Sequence, residues 1–105
     1  MNNDSWSDFV ENIDERWAIP LKILWNDLTA IEPTVQLPVV YVKNDNMILQ
    51  WSSQRYLLEI EISKEIGTFE WFFRDRISNT IDGTKFEPEK ELPIEIIASY
   101  VKKFN

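Results

Sequence analysis

The chain contains no cysteine and no histidine. Without cysteine there is neither a disulfide framework nor a thiolate metal site. Without histidine, the commonest general base and the commonest transition-metal ligand are both missing. Glycine is almost as scarce, with only Gly67 and Gly83. No glycine-rich loop can therefore cradle a phosphate, which sets aside nucleotide hydrolysis and dinucleotide chemistry. Apolar runs are short. The best of them, Trp17 to Trp25, is interrupted by Pro20 and Lys22, well below the roughly 20 residues that a membrane-spanning helix needs. The opening Met1-Asn2-Asn3-Asp4 is polar and acidic rather than basic and then apolar, so no signal peptide is expected and the chain reads as cytoplasmic. Cations are the last shortage: 11 basic against 18 acidic residues leave a net charge of −7. That balance disfavours phosphate-backbone binding and suits a basic protein partner.

What is present is a full apolar complement. Hydrophobic residues make up 44% of the 105, with five Trp, six Phe and three Tyr. This is enough to bury a core without staples, and residues 1–105 read as a single domain.

The first 29 residues carry helical spacing. Ser5 can cap a helix with Asp8 three residues on, and Trp6, Phe9, Ile13 and Trp17 recur every three or four residues along one side. Pro20 lies inside the pattern, where it removes a hydrogen bond and crowds the preceding turn. A kink or break is expected there, followed by a short helix carrying Leu21, Leu24, Trp25 and Leu28. At the other end Pro93 suits a first helical turn. Ile94, Ile97, Val101 and Phe104 form the stripe of a C-terminal helix, with Glu91 and Glu95 near its positive end and Lys102 and Lys103 near its negative end.

Between the helices the pattern changes to alternation. Val39, Tyr41, Met47, Leu49, Trp51, Tyr56, Leu58, Ile60, Ile62, Phe69, Trp71 and Phe73 share one parity, which predicts an antiparallel meander with a strongly apolar face. A three-residue turn at Asn44-Asp45-Asn46 would pair Tyr41 with Leu49 and Val39 with Trp51. A four-residue turn, Ser52 to Arg55, would pair Trp51 with Tyr56 and Leu49 with Leu58. Thr80 to Phe86 is a weaker strand, since Asp82-Gly83 could itself be a turn. The expected fold class is α+β: an N-terminal helix kinked or broken near Pro20, an antiparallel meander of three or four strands, and a C-terminal helix. The runs Ile48-Leu49-Gln50-Trp51 and Tyr56 to Ile62 resemble those of small bacterial proteins, a resemblance that implies no activity.

The opposite parity holds the functional interest. Val40, Val42, Ile48, Leu57 and Phe72 are expected together on a second face, with Gln50, Glu59, Glu61, Glu70 and Arg74 around them. A sheet face left to water does not normally group five large apolar side chains. Either one helix covers each face, or both helices pack on the aromatic face and leave the second as an apolar patch with an acidic rim, the anatomy of a protein interface.

Other constellations have plainer explanations. Glu59, Glu61 and Glu70 could split their pKa values as an acid–base pair or hold a hard cation. Glutamates on an antiparallel sheet are ordinarily its solvated face. Arg74-Asp75-Arg76 beside Trp71, Phe72 and Phe73 has the mix of a single-strand binder, but the aromatics fall at core parity and the arginines are expected to pair with glutamates. The tryptophans sit on core stripes, where large aromatics are packing.

The sequence therefore leads to a small acidic module acting by stoichiometric association with another protein, or with itself as a homodimer. An antitoxin, immunity protein, accessory subunit or inhibitor would act in this way. Its contact set would be Val40, Val42, Ile48, Leu57, Phe72, Glu59, Glu61, Glu70 and Arg74. No cofactor, metal, nucleic acid or membrane is expected. An acidic first helix (Asp8, Glu11, Asp14, Glu15) mimicking nucleic-acid charge is the alternative, and a carboxylate-dependent enzyme a more distant one.

Overall fold

A computed structural model describes residues 15–63, 68–83 and 91–105. The chain runs through α1 (Glu15–Ile31), five strands and α2 (Ile94–Val101), followed by a 3-10 turn, Lys102–Phe104. The strands are β1 (Val39–Lys43), β2 (Asn46–Ser52), β3 (Tyr56–Ile62), β4 (Phe69–Asp75) and β5 (Thr80–Gly83). They form one antiparallel sheet in the order β1-β2-β3-β4-β5, so the architecture is the α+β one expected, with a strand more than the three or four anticipated. β5 falls within the weaker strand expected at Thr80 to Phe86, of which residues 84–86 lie outside the described residues. The expected signals at Trp6, Phe9, Ile13, Ser5 and Asp8 lie outside the described residues.

Pro20 does not divide the first helix. α1 is a single 17-residue helix with Pro20 inside it. A proline within a helix costs about 3 kcal/mol, whereas full burial of one large apolar side chain is worth roughly 1.5–3 kcal/mol. Trp17, Leu21, Leu24, Trp25 and Leu28 are all buried from this one helix, and keeping them on a continuous stripe outweighs the lost bond. Thr29 Oγ1 donates to the Trp25 carbonyl at 2.8 Å near the helix end.

Both described helices pack on the aromatic face. Trp17, Leu21, Leu24, Trp25 and Leu28 of α1 and Ile97, Ala98 and Val101 of α2 share one cluster with Met47, Leu49, Trp51, Leu58, Ile60, Ile62, Trp71 and Phe73. Tyr100 lies flat on Phe73, ring centroids 4.0 Å apart at 2°, and its hydroxyl donates to Asp82 Oδ2 at 2.5 Å. Trp51 is fixed from the side, its Nε1 donating to the Gln36 carbonyl at 2.8 Å. The four described tryptophans (17, 25, 51 and 71) are thus core residues. Among the described residues no helix is long and apolar enough to cross a membrane.

The β1 register differs from the expected one by a single residue. Asn44 and Asp45 both take positive φ, 54° and 65°, and form a two-residue turn flanked by the pair Lys43↔Asn46. Two left-handed residues make the turn whose twist matches that of the strands, and Asn and Asp tolerate the conformation. The pairs become Val42↔Met47, Val40↔Leu49, Tyr41↔Ile48 and Val39↔Gln50. A one-residue slip moves every side chain of a strand to the other face. Val40 and Val42 therefore join the aromatic face, and Val39 and Tyr41 leave it. The β2–β3 register moves by two residues and keeps its parity: Trp51 faces Leu58 and Leu49 faces Ile60, with Ser53 N bonded to the Tyr56 carbonyl at 2.9 Å across Gln54-Arg55.

Candidate functional site

On the second face the ladders arrange side chains in rows that cross the strands. One row is Ser52, Leu57, Arg74, Ile81; the next is Val39, Gln50, Glu59, Phe72, Gly83; the third is Tyr41, Ile48, Glu61, Glu70. Successive rows are about 7 Å apart, two residues along a strand. Seven of the nine expected contact residues (Ile48, Leu57, Phe72, Glu59, Glu61, Glu70 and Arg74) are brought together here. Val40 and Val42 are not, for the reason given by their turn. Val39, Tyr41 and Ile81 complete the face in their place, with Val39 63% and Ile81 56% exposed. The Asn44-Asp45 pair was the signal for this exchange.

Cross-strand spacing sets the polar geometry. Glu59 accepts from Gln50 Nε2 at 2.7 Å and from the Tyr41 hydroxyl at 3.3 Å. Asn46 Nδ2 lies 3.4 Å from Glu61 Oε2. Glu61 and Glu70 stand directly opposite each other on β3 and β4, a placement that is unfavourable for two like charges. The Glu61 carboxyl is held above its ordinary range, first by burial, then by a hydrogen bond to Glu70 and the charge of Glu70. The Tyr41 hydroxyl is also pushed up, by burial and then by the negative charge of Glu59. A carboxyl pair of this kind can share one proton, or accept a cation brought from outside. Among the described residues no group of three or more carboxylates is placed to hold a metal ion.

The arginines do not neutralise these carboxylates. Among the described residues the ion pair is Arg55–Asp75 at 3.0 Å, at the turn end of the sheet. Arg74 stands exposed between Leu57 and Ile81, and Arg76 bonds to the Ser53 carbonyl and, at 3.4 Å, to Ser52 Oγ. Among the described residues neither Arg74 nor Arg76 pairs with a glutamate, contrary to the expectation. Asp75 also accepts from Ile77 N at 3.0 Å and Ser78 N at 3.3 Å, and the Arg55 guanidinium holds its carboxyl far below the usual range. The β4–β5 turn is thereby braced. The second face thus has carboxylates in two of its rows, with Arg74 in the row at one end and Lys43, opposite Asn46, at the other. Asp8, Glu11 and Asp14 of the nucleic-acid-mimic alternative lie outside the described residues.

No family model, no curated protein and no solved structure matches this chain. A functional reading must come from the face itself.

Proposed function

We propose that this protein is a binding module that associates stoichiometrically with another protein through the second face of its sheet. One observation carries the reading: Val39, Leu57, Phe72 and Ile81 are interleaved with Glu59, Glu61 and Glu70 on a face whose side chains are not part of the core beneath the two described helices, while Ile48 between them is buried. An apolar centre within a charged rim is what a specific interface needs, because the centre supplies affinity and the rim supplies register and on-rate. Glu59, Glu61 and Glu70 lie in adjacent rows with Lys43 and Arg74 at opposite ends, so the complementary surface is apolar with lysine or arginine opposite those rows. Association of this kind is how an antitoxin, an immunity protein, an accessory subunit or an inhibitor acts.

The test uses two immobilised proteins side by side, the native chain and a Leu57→Glu/Ile81→Glu variant, exposed to the same host extract. Both substituted positions lie outside the core cluster, so the variant should keep its circular dichroism. A protein retained by the native chain at fixed stoichiometry, lost by the variant, and released by moderate salt supports the reading. Equal retention by both chains removes it.

A further inference from the structure

β1 is an edge strand: it pairs with β2 on one side and with no described strand on the other. Its residues are Val-Val-Tyr-Val-Lys, and all but Val40 are exposed. An exposed edge carrying β-branched and aromatic side chains is a template for another strand, and proteins usually blunt such edges with charge, proline or brevity. The opposite edge is blunted. β5 has four residues, includes Asp82 and ends at Gly83. β1 carries a single charge, Lys43.

The backbone decides which of its groups are available. In a two-residue hairpin the flanking residues, here Lys43 and Asn46, form the hydrogen-bonded pair that closes the turn. Antiparallel ladders alternate between hydrogen-bonded and non-hydrogen-bonded pairs. Lys43, Tyr41 and Val39 therefore bond to β2, while Val40 and Val42 turn their N–H and C=O groups outward. Pro38 has no N–H with which to extend that outward row. At the other end Asn44, with φ 54°, has left the strand conformation.

We infer that the protein forms a two-fold dimer in which β1 pairs antiparallel with β1 of a second copy, centred on Tyr41, doubling the five-stranded sheet. This register places Val40 opposite Val42 of the second copy and Val42 opposite its Val40, so both outward residues of each chain exchange N–H···O bonds. Shifting it by two residues in one direction sets Val42 against Pro38, and in the other sets Val40 against Asn44; either shift loses one of the pairs. The centred register also matches the side chains. Tyr41 meets Tyr41 as a close non-hydrogen-bonded aromatic pair, the valines meet on the other face, and Lys43 lies opposite Val39 instead of another Lys43. An isologous seam requires this self-complementarity. Glu59, Glu61 and Glu70 sit on β3 and β4, away from the seam, where the negative charge of two copies is not concentrated. The seam uses the backbone edge of β1 and shares Val39, Tyr41 and Lys43 with the second face, but the Leu57→Glu/Ile81→Glu variant that tests the binding reading leaves β1 unaltered, so either reading can fail without the other.

The absence of cysteine makes a direct test available. Tyr41→Cys should oxidise rapidly to a covalent dimer, because the facing Cα atoms of a non-hydrogen-bonded pair are about 4.5 Å apart, within disulfide reach. Val39→Cys, displaced to opposite ends of the seam in the two copies, should not. In sedimentation equilibrium the native chain should pass with concentration from its 12.5 kDa mass to twice that. Val42→Pro removes an outward N–H without touching a bond to β2, and should weaken association by roughly tenfold or more. Tyr41→Lys, which sets like charges face to face at an exposed position, should do the same and reads the loss independently should the proline variant misfold. A native chain monomeric at the highest concentration overturns the proposal. So does association unchanged in both Val42→Pro and Tyr41→Lys, or Val39→Cys cross-linking as fast as Tyr41→Cys.

Discussion

On the aromatic face each strand contributes a side chain that the helical layer reaches, from Val40 and Met47 through Leu58 and Trp71 to Asp82 under Tyr100. On the second face the same strands place Glu59, Glu61 and Glu70 among Ile48, Leu57 and Phe72, and neither described helix lies above them. One backbone carries both arrangements. The difference lies in what satisfies each side chain. The aromatic face is apolar packing in which a lost methylene leaves a hole. The second face is held laterally, by cross-strand bonds such as Gln50 to Glu59 at 2.7 Å, and part of it is strained by like charge. Stability is thus concentrated on one side, and the proposed binding surface is the other.

The largest blow to the comparison should come from the aromatic side. Leu58→Ala empties a fully buried position and should cost about 2–5 kcal/mol, read as a lower midpoint in urea at unchanged slope. A loss below 1 kcal/mol would mean that this face is less tightly packed than its burial implies. The next effect belongs to the backbone beneath the second face. Gly83 has φ 150°, and a Cβ there would stand 2.3 Å from the Trp71 carbonyl oxygen. Gly83→Ala should therefore cost roughly 1–3 kcal/mol, with the loss of protection from hydrogen exchange confined at first to β5. A neutral result would show that the β4–β5 edge can shift apart at no cost.

A smaller effect separates Tyr100 from its neighbours. Asp82 and burial push its hydroxyl up to about 12 from an ordinary 10. The folded state then holds the proton more tightly than the unfolded one, so stability should decline as pH rises from about 10 to about 12. Tyr100→Phe keeps the stacked ring, loses about 1 kcal/mol or less at neutral pH, and should flatten that alkaline decline in a thermal-melt series.

The smallest effect should have the opposite sign at neutral pH. Glu61 is raised above its ordinary 4.5 by burial, the Glu70 hydrogen bond and the Glu70 charge. The folded state therefore binds more protons than the unfolded one between that value and the raised one, and stability falls as pH rises through the window. Glu61→Gln should be as stable as the native chain in acid, slightly more stable at pH 7, and flat in between. If the native chain instead gains stability from pH 4.5 upward with Glu61→Gln unchanged, the second face carries no such strain.

Much of the fold was legible because period is a local property. The stripe Leu21, Leu24, Trp25, Leu28 and the alternation from Met47 to Phe73 each specify a buried side with no knowledge of what covers it. The site was less legible at its β1 edge. Val40 and Val42 were separated from Leu57 and Phe72 by one turn residue, and sequence alone left the Asn44-Asp45-Asn46 turn at three residues when two suffice. The Asn-Asp pair was a usable clue, since two adjacent left-handed residues favour the shorter turn. Pro20 illustrates the converse: a local rule predicted a kink or a break, and with five buried side chains on one stripe the helix is not broken.

Composition and period determined the class of the molecule: an acidic α+β domain without thiol, imidazole or phosphate-loop chemistry, and with two kinds of sheet face. The tertiary structure decided which residues share a face at β1, and that both described helices chose the aromatic side. Those choices depend on the twist of a turn and on competition between two surfaces for the same apolar stripes. Neither is encoded at a single position, because each is a balance struck only when the strands and helices meet.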